Sequence, residues 1–227
     1  MRHLPNLITL GNLFCGCLGI VWAFAGELHL AVYMIWLAAI LDFGDGLVAR
    51  LAGVSSDLGK QLDSLADVVS FGLLPSVILY QLISQYLPNT LWPYIAFLVV
   101  LFSALRLAIF NLDEEQTSEF KGMPTPANAL LISSFPTIFG QNSEILRLGL
   151  ESPVFWVVLT VLLAYLLVSK IRLFGLKFKN FGWRDNQFRY IFLLISMLAL
   201  VIWQITAIPI VVLVYLLLSI WRQYRLS

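Results

Sequence analysis

The chain has 227 residues, 60% of them hydrophobic and only 12% charged, with a formal net charge of +1. That composition excludes an ordinary soluble domain and describes a protein that crosses a membrane several times. The near-neutral charge, without a basic run interleaved by aromatics, argues against a nucleic-acid partner.

In chain order, eight apolar stretches are candidate spans: about 5–25, 28–53, 59–86, 91–112, 124–140, 153–171, 187–204 and 207–223. Most approach the roughly 20 residues needed to cross the hydrocarbon. The sequence therefore predicts an all-α polytopic membrane bundle of about eight helices, a six-helix core plus two, forming one domain over 1–227. The first stretch lacks a small-residue cleavage site and is expected to stay as a helix. Its polar residues Asn6, Thr9 and Asn12 follow one another at i, i+3 on a single face. They either hydrogen-bond to a neighbouring helix or line a polar pocket. Cys15 and Cys17, at i, i+2, do not share a helix face, so a disulfide or thiol site is not expected; they read as small packing residues. His29, beside Glu27, reads as a surface residue.

The second and third spans meet in Asp42-Phe-Gly-Asp45-Gly46-Leu-Val-Ala49-Arg50, eight intervening residues, and Gly59-Lys60-Gln-Leu-Asp63-Ser-Leu-Ala-Asp67. Asp42 and Asp45 are spaced i, i+3; Asp63 and Asp67 are spaced i, i+4. Each pair lies on one helix face. Gly46, Ala49 and Gly53 leave room beside the first pair. A short link lets the two helices be antiparallel neighbours, gathering the acids into one site. A single charge at the centre of a membrane helix costs roughly 2.5–3.5 kcal/mol. Four carboxylates and one arginine therefore need divalent cations, and oxygen-only ligands favour Mg²⁺, Mn²⁺ or Ca²⁺ over softer metals.

Beyond the acids, Ser70 follows Asp67 at i+3 and is a candidate partner for it, and Pro75 should kink the third helix. Arg106 sits in apolar sequence near the end of span four. It is either a snorkelling arginine or a contact for a phosphate or a carboxylate. The stretch Asp113 to Lys121 reads as a solvated acidic loop. The run Gly122-Met-Pro124-Thr125-Pro126-Ala127-Asn128 fixes a non-helical entry to span five, either a structural bend or a pocket wall. Lys170 to Arg189 is the most basic loop, with Phe174, Phe178, Phe181 and Trp183 among its charges. It either sets topology or attracts anionic headgroups. With a cytoplasmic N-terminus, thirteen of the fourteen Lys and Arg residues, all but Arg147, fall at or near cytoplasmic ends. The positive-inside rule then opens the acid cluster to the cytoplasm.

The pattern D-x2-D-G-x2-A-R-x8-G-x3-D-x3-D, with all its fixed positions present from Asp42 to Asp67, resembles the signature of the CDP-alcohol phosphotransferases. The flanks, namely Asn6 to Asn12, Lys60 to Gly72, Arg106 to Asn111 and Gly122 to Ala129, resemble the serine-using branch, the phosphatidylserine synthases. That branch usually has a second arginine where this chain has Ile109. The resemblance implies an enzyme moving the phosphatidyl group of CDP-diacylglycerol to L-serine, with release of CMP. It implies one or two Mg²⁺ or Mn²⁺ ions on Asp42, Asp45, Asp63 and Asp67, with Asp67 also the general base. It implies nucleotide and phosphate contacts at Gly46, Ala49, Arg50, Gly59, Asn6 and Thr9, and acceptor contacts at Lys60, Arg106, Asn111 and Lys121. Membrane lipids as partners, a homodimer and the cell inner membrane follow from the same resemblance. The alternatives are another acceptor, glycerol 3-phosphate or inositol phosphate, or a cation transporter, since intramembrane carboxylates also line ion pathways. A phosphate-seeking arginine beside nucleotide-sized gaps speaks against the transporter.

Overall fold

The computed structural model describes residues 3–53, 56–112, 119–139, 148–174 and 182–226. The first two helices form a tight antiparallel hairpin. α1 (Leu4–Phe24) starts with Pro5 in its first turn, where the missing N–H has no helical partner to lose. Gly26, at φ +85, turns the chain into α2 (Leu28–Ala52). Small residues set the spacing of α1 from its neighbours. A Cβ on Gly11 would lie 3.4 Å from Leu41, and one on Gly19 would lie 2.5 Å from Leu74 and 3.0 Å from Met34. α2 ends on Gly53 in the left-handed conformation, its N–H returning to Ala49 and Arg50 carbonyls. Ser56 then caps α3 (Asp57–Asp67), accepting the Gly59 N–H at 3.0 Å.

α3 continues without a break into a π-helical segment, Val68–Leu73, and then α4 (Leu74–Tyr86). The expected kink at Pro75 is taken up here: Pro75 falls in the first turn after the wide π turns, so its missing donor interrupts no regular ladder. This composite helix is the centre of the bundle. Of its most apolar window, 72% is buried, against 28–33% for the helices on either side of it in sequence. Phe71, Leu74, Val77, Ile78, Leu79, Leu82 and Ile83 carry the core. Large apolar side chains such as Leu7, Phe14, Val21, Ile40 and Phe43 instead face outward, as lipid-facing surfaces do.

The fourth span opens as a 3₁₀ turn (Trp92–Phe97) before α5 (Leu98–Leu112). The expected fifth span is not one helix. α6 (Thr125–Ser133) stops at Ser134, and α7 (Phe135–Phe139) follows. Pro136 cannot donate back to the α6 ladder, and the Ser133 and Ser134 hydroxyls take the Leu130 and Leu131 carbonyls at 2.7 Å. α8 (Pro153–Val168) is 16 residues long. Besides the helices there is a three-residue antiparallel ribbon, β1 (Glu119–Lys121) on β2 (Arg172–Phe174), with Lys121 opposite Arg172. α9 (Trp183–Trp203) and α10 (Ile208–Leu226) meet at a 3₁₀ turn begun by Gln204 at φ +51, and pack through Phe192 and Leu218. Pro209 sits inside the first turn of α10. Among the described residues, five helical stretches are long and apolar enough to cross a membrane: Leu4–Phe24, Leu28–Ala52, Asp57–Tyr86, Trp92–Leu112 and Asn186–Tyr224. The last of these contains the α9–α10 turn.

Candidate active site

The facing ends of α2 and α3 bring the acids together. Oxygens of Asp42, Asp63 and Asp67 lie within 4.8 Å of one another. Asp42 is in hydrogen-bonding reach of both Asp63 and Asp67, and Asp45 is close enough to act on all three electrostatically. Three of the four predicted acids thus converge at one point. Asp45 stands beside them, with its Oδ2 taking the Thr9 hydroxyl at 2.6 Å. That hydroxyl also lies 3.0 Å from the Pro5 carbonyl, and the shorter, charge-assisted contact is the stronger. One turn further along α1, the Asn12 amide donates to Asp67 Oδ1 at 3.4 Å. The polar stripe of α1 is therefore the clamp on the acid pairs, one residue per pair. Asp45 and Asp67 are buried, at 6% and 7% exposure.

Among the described residues no Lys or Arg nitrogen pairs with any of these four carboxylates, and the Asp63 Oδ1 is buried without a partner. Carboxylates this close repel one another unless a positive charge lies between them. The donor set is all oxygen, and it converges. It fits one or two hard divalent cations.

A cavity of about 250 Å³ opens beside the acids. Pro5, Asn6, Thr9, Asp45, Gly46, Ala49, Ser56, Gly59, Lys60 and Asp63 line it. Its glycines keep it open: a Cβ on Gly59 would meet Ser56 Oγ at 3.1 Å and Asn6 Oδ1 at 3.3 Å. Arg50 is exposed at the end of α2, its guanidinium lying over Gly46. It stands at the rim and is not among the residues lining the cavity.

Lys60 and Asn111 are joined as neighbours. The Lys60 ammonium donates to the Asn111 carbonyl at 3.1 Å, and the Asn111 amide donates to Ser64 Oγ at 2.8 Å. Arg106 is buried at 8% exposure, stacked 5.7 Å over the Phe110 ring and within electrostatic reach of Asp67. The Lys121 side chain, Arg147 and most of the acidic and basic loops lie outside the described residues. Ser70 does not reach Asp67 as its spacing suggests. The π segment rotates it, and its hydroxyl donates to the Asn12 carbonyl at 2.9 Å. His29 faces Glu27 at 3.5 Å with both side chains exposed, and both cysteines are free. Sequence reasoning missed Pro5 and Ser56 as cavity walls. The serine three residues before Gly59, at the start of the acid-bearing helix, was the available signal.

Fold and site together describe a polytopic helical membrane enzyme whose clustered carboxylates could hold divalent metal. Residues 2–164 match the family model described as CDP-alcohol phosphatidyltransferase. The CDP-diacylglycerol–serine O-phosphatidyltransferase of Bacillus subtilis (strain 168) is 36% identical over 178 residues, covering 76% of this chain and 90% of that protein. The protein of the same name from Helicobacter pylori (strain J99) is 34% identical over 202 residues, covering 85% and 80%. The archaetidylserine synthase of Methanothermobacter thermautotrophicus is 37% identical over 136 residues, covering 58% and 57%. The chain belongs to the CDP-alcohol phosphatidyltransferase family. That family is generally dependent on divalent metal.

Proposed function

We propose that this protein transfers the phosphatidyl group of CDP-diacylglycerol to the hydroxyl of L-serine, giving phosphatidylserine and CMP. The observation that carries the reading is the convergence of Asp42, Asp63 and Asp67 beside a cavity walled by Gly46, Ala49 and Gly59. The names of the relatives supply the donor and the acceptor. In the reaction the serine oxygen bonds to the lipid-bearing phosphorus, the phosphoanhydride bond to CMP breaks, and CMP leaves with that electron pair. The serine hydroxyl proton passes to a base.

Each residue has a task in this scheme. Asp42, Asp45, Asp63 and Asp67 would hold Mg²⁺ or Mn²⁺. The bound cation supplies charge neutralisation for the diphosphate and the departing CMP. Asp67, oriented by Asn12, takes the proton from serine. Gly46, Ala49 and Gly59 admit the nucleotide against helix backbone, and Asn6 and Thr9 form the polar wall opposite. Arg50 at the rim binds a phosphate oxygen pair. Arg106, Asn111 and Lys121 belong to the acceptor side, and Lys60, which lines the cavity and reaches the Asn111 carbonyl, stands between the two. The basic residues gathered at one membrane side support a site at the cytoplasmic face of the cell membrane. Val212, Tyr215 and Leu216 of α10 pack on the same core as the first eight helices, in favour of a single domain over 1–227. The working unit is taken as a homodimer, to be checked by the mass of the detergent-solubilised protein.

The test is CMP release from CDP-diacylglycerol by purified protein with Mg²⁺ or Mn²⁺, given L-serine, glycerol 3-phosphate or inositol phosphate separately. Release with serine alone, lost on chelation and restored by the metal, is the expected result. Release with a different alcohol would keep the site and discard the acceptor. Arg50→Lys is expected to lower kcat/KM roughly 10- to 100-fold, because a point charge does not reproduce a planar two-pronged contact to phosphate. Unchanged kinetics would remove Arg50 from that task.

A further inference from the structure

Ten buried side-chain polar atoms lack a hydrogen-bond partner among the described residues. Two of them, on Asn12 and Asp63, belong to the acid site. Six of the rest sit on just three helices: Ser103 Oγ and Arg106 Nε on α5, Thr125 Oγ1 and both amide atoms of Asn128 on α6, and Thr160 Oγ1 on α8. Ser103, Thr125, Asn128 and Thr160 are fully buried, and Arg106 is 8% exposed. Buried polar groups in folded proteins are almost always paired, so a concentration of unpaired ones marks a place where something else pairs them.

The three helices pack together beside the π segment that follows Asp67. α5 and α6 both pack on that segment, and α8 packs on both of them. A Cβ on Gly72, within the π segment, would lie 3.2 Å from Ser103 Cβ, so Ser103 stands directly on that wall. Arg106, one turn along, is in electrostatic reach of Asp67. The start of α6 is bolted to the end of α8: the Met123 N–H donates to the Leu166 carbonyl at 2.8 Å, and Gly122 N–H donates to that of Ile171 at 3.0 Å. Gly122 has φ +76, and a Cβ there would lie 2.4 Å from the Leu167 carbonyl oxygen, so this junction admits no other residue cheaply. At about 1.5 Å per helical residue, Thr160 lies roughly 9 Å along α8 from Leu166, and Asn128 lies within the first turn of α6. The open cavity, by contrast, lies among α1, α2 and α3, and its polar walls Thr9 and Ser56 are already hydrogen-bonded.

Taken with the serine reading above, on which this rests, we propose that Ser103, Arg106, Thr125, Asn128 and Thr160 form the acceptor subsite. In it Asn128 selects an alcohol bearing both an ammonium and a carboxylate. The group types match such a zwitterion. The Arg106 Nε–H and the Asn128 amide N–H are donors for a carboxylate. The Asn128 Oδ1 and the hydroxyl oxygens of Ser103, Thr125 and Thr160 are acceptors for an ammonium. The donor nucleotide then enters on the α1–α3 side and the amino acid on the α5–α8 side, with the carboxylates between.

The experiment uses the full chain, as wild type, Asn128→Ala and Thr160→Val. KM is measured for L-serine, for ethanolamine, for 3-hydroxypropionate and for CDP-diacylglycerol, with a melting curve for each protein. Thr160→Val keeps the side chain's shape and is expected to leave the melting temperature at or above wild type, whereas Asn128→Ala also opens a cavity and is read from its ratio of KM values in protein that still melts cooperatively. Asn128→Ala is expected to raise the serine KM about tenfold, the loss of one charge-assisted hydrogen bond, with the CDP-diacylglycerol KM within about twofold of wild type. Thr160→Val should raise the serine KM in the same direction, and the preference for serine over the two half-analogues should shrink in both variants. A wild-type serine KM and preference in both variants overturns the subsite. So does a donor KM that rises in step with the serine KM. A wild type that uses another alcohol and not serine overturns the serine reading; the same variants tested on that alcohol then decide the subsite separately. No transfer to any alcohol overturns both.

Discussion

Asp67→Asn is expected to lower serine-dependent CMP release by roughly 10²–10⁴-fold, the range associated with losing a positioned general base, while the protein stays folded. The substitution keeps shape and volume. The asparagine carbonyl can still accept from the Asn12 amide, now 3.4 Å from Asp67 Oδ1. It removes one negative charge from a place where Asp42 and Asp63 already stand within 4.8 Å of it. In chelator the variant should therefore melt no lower than wild type, because like-charge repulsion is relieved. With Mg²⁺ or Mn²⁺ added, the wild type should be stabilised by ligand binding to the folded state, and the variant less so. Asp63→Asn should behave alike, since its Oδ1 is the unpartnered buried oxygen of the cluster. Activity near wild type in either variant would remove the carboxylates from the reaction. A variant that melts far below wild type in chelator would make them structural instead.

Much of this site could be read from the sequence because its parts are local. The i, i+3 and i, i+4 spacings of the acids and the Asn6, Thr9, Asn12 stripe depend only on helical period, and helices formed there. The family signature added the chemistry. What lay beyond reach depended on how helices cross or on departures from regular winding. That Asp42, and not Asp45, completes the tightest group with Asp63 and Asp67 follows from how α1 packs against both α2 and α3 and from the hold of Thr9 on Asp45. Ser70 points to α1 because the chain takes wide π turns after Asp67, which spacing at 3.6 residues per turn cannot anticipate. The expected fifth span breaks at Ser134 because serine hydroxyls and Pro136 together end the ladder. The run from Gly122 to Asn128 reads in sequence as a bend or a pocket wall without setting Asn128 apart, and nothing in the sequence singles out Thr160. Their unpaired burial appears only when three helices close around them.

Gly16→Val should lower activity by about a hundredfold with the acids all intact, the scale of loss produced by a misplacement near 1 Å in a catalytic site. Gly16 is where α1 presses on the π segment. A Cβ there would stand 2.5 Å from Ser70 Oγ, 3.0 Å from its Cα and 3.1 Å from its backbone nitrogen. The hydroxyl cannot simply swing away, because it is held on the Asn12 carbonyl at 2.9 Å. The backbone atoms cannot move without the central helix. Relief must come from α1 shifting outward, and α1 carries both clamps: Thr9 on Asp45 and Asn12 on Asp67. The acid pairs then lose their relative register although no acid is altered. Rates, metal-induced stabilisation and the melting curve separate the outcomes. Lower activity with a weaker metal shift and a protein that still melts cooperatively is the expected result. Full activity would mean that α1 does not set the geometry of the acid cluster. Gly16→Ala, with a single methyl at the same close contact, should fall between valine and glycine on the same measurements.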